Sequence, residues 1–90
     1  MSSAIKEECM SRLTRNEGVI EEGGLNIETL LDGLEHYFGV LEKNIVIDRD
    51  ELSKFVQQIE KALQGQTAFL VKFRKEIYGL NDQNANLQYR

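Results

Sequence analysis

Two side chains in this 90-residue sequence could form a catalytic nucleophile and its base, namely its single cysteine, Cys9, and its single histidine, His36. A thiol is activated for catalysis by a neighbouring base such as imidazole, so a cysteine-based enzyme would have to use this pair. Cys9, however, is spaced four residues from both Ile5 and Leu13 on one helical face. A thiol in that position is ordinarily buried and inert. We therefore expect the protein not to be an enzyme.

The same inventory disfavours metal and nucleotide sites. Structural zinc takes four Cys or His ligands, and the sequence contains two. Asp48, Asp50 and Glu51 supply carboxylates, but the central glycine and the twelfth-position glutamate of a calcium loop are missing. Asp48 and Glu51 fit a helix-capping box instead. Gly23-Gly24 follows two glutamates, which would repel a bound phosphate. We predict neither a metal nor a cofactor.

The acidic residues are unevenly distributed. Residues 1–45 contain nine acidic and four basic residues, whereas residues 46–90 contain six acidic and seven basic ones. Seven acids and no Lys or Arg lie between positions 16 and 42, and we call them the acidic block: Glu17, Glu21, Glu22, Glu28, Asp32, Glu35 and Glu42. Such a block repels nucleic-acid phosphates and complements a basic protein surface. We expect Glu28, Asp32 and Glu35 to bind a protein partner, the alternative being a merely solvated helix face.

Lys72, Arg74 and Lys75 form the one basic cluster that could contact phosphate groups. They predict the alternative function, a nucleic-acid-associated regulator that presents this basic patch on a long helix. Glu76 adjoins the cluster and weakens that prediction. We therefore expect nucleic acid not to be the partner.

Helix signals divide the chain into three predicted segments. The first helix is expected from about Ser3 to Asn16, with the Gly23-Gly24 pair ending whatever continues beyond it. Asn26 can cap the second helix, whose apolar stripe extends to Leu41. Three β-branched residues at positions 45–47 then favour an extended connector or a lone strand, entered through a left-handed Asn44.

The longest pattern is an apolar stripe with alternating steps of four and three residues: Leu52, Val56, Ile59, Leu63, Gln66, Leu70, Phe73, Ile77 and Leu80. Gly65 could end a helix, but the pattern continues beyond it in phase, which favours one helix from Arg49 to Leu80, about 48 Å long. Such a helix exceeds the width of a small globule, so we expect two copies to pair along the first eight stripe residues. Gln66 would then pair across the dimer axis.

Together these patterns predict an all-α fold, with two shorter N-terminal helices and one long amphipathic helix packed as a bundle-like or coiled-coil-like homodimer. Residues 1–80 are expected to form the single domain, and residues 81–90 a loose polar tail. A secretory signal, an apolar run of membrane-spanning length and a second cysteine are all missing, so we expect a cytoplasmic protein. The predicted function is non-enzymatic: an acidic helical protein that binds and regulates or inhibits another protein.

Overall fold

The computed structural model describes residues 3–88, and the regular structure within them is entirely helical. It has five helices: α1 (Ala4–Arg15), α2 (Glu17–Glu22), α3 (Ile27–Glu42), α4 (Arg49–Ala62) and α5 (Thr67–Gln88). The all-α class predicted from the sequence is confirmed. The number of helices differs from the prediction, because a short helix follows α1 and the long C-terminal helix is divided in two.

Three helices begin at the capping residues that the sequence indicates. Ser3, Asn26 and Asp48 each accept a hydrogen bond through their side chain from the backbone N–H three residues later. These bonds satisfy amide groups that have no partner within the helix itself. The carboxylate of Glu51 accepts a hydrogen bond from the Tyr37 hydroxyl (3.0 Å). Glu51 therefore links α4 to α3.

Gly65 separates α4 from α5, so the prediction of one continuous helix from Arg49 to Leu80 is wrong. Gly65 has a φ of +92°, a left-handed conformation that glycine adopts at little cost. The N–H of Gln66 donates to the carbonyl of Leu63 (3.0 Å), which closes the turn. The apolar spacing stays in phase because both helices need an apolar face toward one core, and such a face does not require a continuous backbone.

Contacts between side chains show that α4 and α5 form an antiparallel hairpin. Near the turn, the Arg74 guanidinium donates to the Glu60 carboxylate. At the other end, Arg49 at the start of α4 bonds Asp82 on α5 (3.3 Å) and lies over the Tyr78 ring (5.0 Å). The predicted ~48 Å helix is thus folded back on itself, and the described residues span 45 × 26 × 23 Å.

The other long helices complete an up-and-down bundle. α3 runs antiparallel to α4, because Tyr37 bonds Glu51 and the Gly33 backbone packs on the Phe55 ring. α1 packs against α3 and α5. The short helix α2 lies at the end of the bundle, where its residues share a cavity with those of the α4–α5 turn.

The predicted dimer stripe faces the interior of a single chain. Its apolar members at the expected interface are 0–7% exposed: Leu52, Val56, Ile59, Leu63, Leu70, Phe73 and Ile77. They belong to one core cluster with buried residues of α1 and α3, in which the rings of Phe38 and Phe73 lie 6.3 Å apart. One chain therefore buries the surface that was expected to require a second copy. The oligomeric state itself stays a prediction.

The segment expected to form a loose tail is helical as far as the structure describes it, because α5 extends to Gln88. Asn81 and Asn84 lie on its inner side and are buried. Positions 89 and 90 lie outside the described residues. The spacing of Asn81 and Asn84, three positions apart on one helix face, therefore indicated a packed helix. Their polarity alone had indicated a solvated segment.

Those two asparagines hold the connector between α3 and α4. Asn81 accepts a hydrogen bond from the Ile47 N–H (2.8 Å) and donates one to the Ile47 carbonyl (2.9 Å). Asn84 donates to the carbonyls of Leu41 and Ile45 (3.0 and 3.1 Å). The connector is irregular and forms no strand within the described chain, because side-chain amides take the place of a strand partner.

Candidate protein-binding surface

The structure places the three predicted partner-binding residues on one exposed strip of α3. Glu28, Asp32 and Glu35 are spaced four and three residues apart, and Glu42 continues the row seven residues later. All four residues are exposed. The strip covers about 21 Å along the helix, at ~1.5 Å per residue. We call these four residues the α3 acidic strip.

One member of the strip also supports the fold. The Lys6 ammonium of α1 donates to the Glu35 carboxylate (3.1 Å), and Lys6 is only 8% exposed. A largely buried lysine depends on its counter-charge, so Glu35 is not a free surface acid. The sequence carries no signal for this pair, which is separated by 29 positions. Glu28, Asp32 and Glu42 make no ion pair with any residue from 3 to 88.

The remaining acids of the block lie on α2. Glu17, Glu21 and Glu22 are exposed and have no ion pair within the described part of the chain. α2 buries only Ile20, whereas its other large apolar side chain, Val19, is 72% exposed. Val19 is thus an apolar group beside several unpaired carboxylates.

Val19 borders a groove between α2 and the α4–α5 turn. We call it the α2 groove, and its volume is about 520 Å³. Its apolar side chains are Val19, Ile20, Leu25 and Ala62, and its polar or small residues are Asn16, Gly23, Lys61, Gln64 and Gln66. The sequence did not indicate this groove, because it depends on the turn at Gly65.

Arg12 fixes the polar wall of the α2 groove. Its guanidinium donates to Gln66 Oε1 (2.8 Å) and to Glu8 Oε2 (2.9 and 3.1 Å), and it lies 4.5 Å from the centre of the Phe69 ring. Gln66 was expected to pair with its own copy across a dimer axis. Within the chain it bonds to α1 instead, at the start of α5.

A second, shallower groove of about 460 Å³ lies between α3 and α4 and includes Asp32. His36 and Tyr37 meet edge to face there, with ring centres 4.9 Å apart. Partial burial, together with the neighbouring Glu51 carboxylate, raises the pKa of Tyr37. At neutral pH the Tyr37 hydroxyl is therefore a hydrogen-bond donor and not a base.

The thiol and the imidazole considered as a catalytic pair lie in different surroundings. Cys9 is fully buried in the core, and burial raises the pKa of its thiol from 9.0 to about 12. His36 is exposed on α3. A buried neutral thiol is a poor nucleophile, so this geometry offers no cysteine chemistry at neutral pH.

The three basic residues of α5 do not form one patch. Arg74 is directed to Glu60 on α4. Lys72 and Lys75 are exposed and line a small depression of about 290 Å³, which they share with Ile5 and Glu76. The face available to an anion is therefore two lysines with a glutamate beside them.

Comparison with protein-family models, with curated proteins and with solved structures finds no match to this chain. Among residues 3–88, His, Cys, Asp and Glu form no group of three or more suited to holding a metal ion. In the same residues, none of the helices combines the length and the apolar character needed to cross a bilayer. The exposed carboxylates of α2 and α3 and the α2 groove are thus the features that a functional proposal can use.

Proposed function

We propose that this chain is a non-enzymatic protein that binds another protein through a basic surface on that partner, and thereby regulates or inhibits it. The observation that supports the proposal is the exposure of the acidic block on neighbouring helices. Six of its seven carboxylates make no ion pair within residues 3–88, and the seventh, Glu35, pairs with Lys6. A binding surface of this sign favours a cationic partner.

The exposed carboxylates would act mainly on the rate of association with the partner. Exposed carboxylates interact with a partner over a Debye length of about 8 Å at physiological ionic strength. Complementary charges of this kind accelerate encounter, and their effect weakens as salt is added. The α3 acidic strip and the three acids of α2 lie on consecutive helices and would together attract a basic surface.

The test begins with capture of partners from native lysate by the whole protein, followed by mass spectrometry. The recovered partner is then titrated with a variant carrying Glu28→Lys, Asp32→Lys and Glu42→Lys. Glu35 is left in place because it compensates Lys6. We expect the association rate to fall and its dependence on salt to flatten, with the helical circular dichroism unchanged.

The matched control reverses Lys72 and Lys75, which are exposed and make no ion pair within the described residues. Under our proposal this variant binds the partner as the wild type does. The alternative function, a nucleic-acid-associated regulator acting through the basic cluster, requires the opposite ranking. Loss of binding in the lysine variant alone would therefore refute the proposed function.

Self-association is a separate part of the proposal. The expected homodimer would now have to use surface residues, because the apolar stripe lies in the core of one chain. Ile45 on the α3–α4 connector and Leu87 on α5 are half-exposed apolar residues available to such a contact, and their neighbours Asn44 and Gln88 are hydrogen-bonded to each other. Sedimentation equilibrium tests it: a single 10.4 kDa species up to about 100 μM would contradict the dimer.

A further inference from the structure

We infer that the α2 groove holds an aliphatic side chain from a basic segment of the partner protein. This inference rests on the proposed function, since it presupposes a protein partner with basic residues. It adds the contact that would hold the complex once charge has brought the two surfaces together. The occupant is a short stretch of polypeptide with Leu, Ile or Val next to Lys or Arg.

The apolar character of the groove supports an aliphatic occupant. Val19 is 72% exposed, and it borders a recess formed with Ile20, Leu25 and Ala62. A single exposed valine is ordinary on a protein surface. One that edges a cavity of about 520 Å³ is different, since this volume lies within the ~300–1,000 Å³ typical of ligand sites.

Two tethered amides make the groove suitable for a peptide backbone. Gln66 Oε1 accepts from the Arg12 guanidinium, and Asn16 Nδ2 donates to the Arg12 carbonyl (2.7 Å). The opposite ends, Gln66 Nε2 and Asn16 Oδ1, have no hydrogen-bond partner within the described chain. The wall therefore offers one donor and one acceptor, which complement the C=O and N–H of a peptide group.

The acidic residues of α2 determine which charge the partner segment should carry. Glu17, Glu21 and Glu22 are exposed on α2, and Glu22 lies three positions from Val19, hence on the neighbouring helix surface. Lys61 on the opposite wall is the one basic residue among those that line the groove. The α2 carboxylates are not among the residues that line the groove, but Glu22 adjoins Val19 at its rim, so lysine or arginine beside the inserted side chain is favoured on the α2 side.

Peptide titration followed by NMR of the uniformly ¹⁵N-labelled protein tests the inference. The probes are Lys-Lys-Leu-Lys-Lys, its serine counterpart Lys-Lys-Ser-Lys-Lys, the acidic Glu-Glu-Leu-Glu-Glu, and N-acetyl-leucine amide. We expect the leucine–lysine peptide to shift the signals of Val19, Gly23 and the Gln66 side-chain amide, with a Kd of about 1 mM. The serine peptide should bind at least about tenfold more weakly at these signals.

A pair of valine variants supplies the control. Val19→Ser should weaken the leucine–lysine peptide about tenfold, whereas Val71→Ser on α5, where the valine is 50% exposed, should leave its affinity unchanged. Val19 is largely exposed and Val71 is half-exposed, so both variants should fold, and circular dichroism checks this.

The outcomes separate the inference from the proposed function. Equal shifts by the leucine and serine peptides, confined to the α3 acidic strip, would refute insertion of an aliphatic side chain into the α2 groove. They would not contradict the proposed function. Equal binding of N-acetyl-leucine amide and the peptide would assign the groove to small apolar ligands and overturn the inference. So would equal binding of the acidic peptide, or no shift at the groove up to about 5 mM of any probe.

Discussion

Two glycines on the same helix should respond oppositely to the same substitution. Gly33 and Gly39 both lie within α3, where alanine is intrinsically more favourable than glycine by about 1 kcal/mol. A Cβ at Gly33 would lie 2.4 Å from Cε1 of Phe55 on α4. A Cβ at Gly39 would meet no atom of residues 3–88 within 4 Å outside its own helix backbone. Gly33→Ala should therefore destabilise the protein, and Gly39→Ala should stabilise it.

The magnitude follows from how little the Phe55 ring can move. Phe55 is 7% exposed, and its ring packs against that of Tyr37 with centres 4.8 Å apart. Overpacking a well-filled contact costs about 1–3 kcal/mol, which exceeds or cancels the ~1 kcal/mol gained in helix propensity. We expect Gly33→Ala to lower the free energy of unfolding by about 0–2 kcal/mol. Gly39→Ala should raise it by about 0.5–1 kcal/mol.

Urea denaturation of the two variants, monitored by circular dichroism, measures this difference directly. The free energies of unfolding of the two variants should differ by about 0.5–3 kcal/mol, which in a thermal melt of a chain of this size corresponds to about 2 °C or more in Tm. If Gly33→Ala proves as stable as Gly39→Ala, the close packing of α3 on α4 does not constrain the fold. The orientation of the α3 acidic strip relative to α4 would then lose its explanation.

Three further substitutions test the contacts that organise the site and the bundle. Gln66→Leu should lower Tm and reduce the free energy of unfolding by about 1 kcal/mol, because the Arg12 guanidinium loses an acceptor. A rise in Tm would instead support the expectation that two copies pair along the apolar stripe. Asn81→Ala should lower the free energy of unfolding by about 2–4 kcal/mol, measured by chemical denaturation, because the backbone N–H and C=O of Ile47 both lose their partner. Asn86→Ala, at an exposed position, should change it by no more than about 0.5 kcal/mol. Burial raises the pKa of the Cys9 thiol from 9.0 to about 12. As pH rises, the unfolded chain therefore releases this proton before the folded chain does. Folding stability is lost from about pH 9 toward pH 12. Between pH 8 and pH 10 the urea midpoint should therefore fall more for the wild type than for Cys9→Ala, and equal losses would show that the thiol is not buried in solution.

Local chemistry made the helix starts predictable. Ser3, Asn26 and Asp48 carry their signal within four residues, and each accepts its capping hydrogen bond as expected. The second half of the expected capping box does not form, because the Glu51 carboxylate bonds Tyr37 instead. The left-handed Asn44 (φ +63°) was predictable for the same reason, since an asparagine side chain tolerates that conformation at a helix end. The all-α class followed from apolar periodicity, which is likewise a local property.

The division of the C-terminal helix was not predictable from periodicity. Residues on both sides of Gly65 obey the same four-and-three spacing, so the stripe cannot distinguish a straight helix from a hairpin. What decides between them is the energy of burying both halves against α1 and α3, and this depends on the whole chain. The ease with which Gly65 adopts a left-handed conformation was the local signal for a helix end. In this chain it was a better predictor than the regular spacing of the apolar residues.

The candidate site was predictable only in its charge. The exposed row of Glu28, Asp32 and Glu35 followed from helical spacing, but the pairing of Glu35 with Lys6 joins two distant segments. The groove likewise requires Arg12 to meet Gln66 across 54 positions, which local sequence does not specify. Acidity is a compositional property of the chain, whereas the recess beside it is a product of the fold.

At α2, binding in the groove is only weakly connected to the stability of the core. The helix has six residues and buries only Ile20, so little of the core depends on it. The groove wall opposite it is held by Arg12 and Gln66, which belong to the bundle itself. A short, weakly anchored helix facing a fixed wall can adjust its distance to an inserted side chain without disturbing the core. Binding at the groove should therefore protect the α2 amides from hydrogen exchange while leaving those of α3 and α5 unchanged, and uniform protection of all helices would show that α2 is no separate unit.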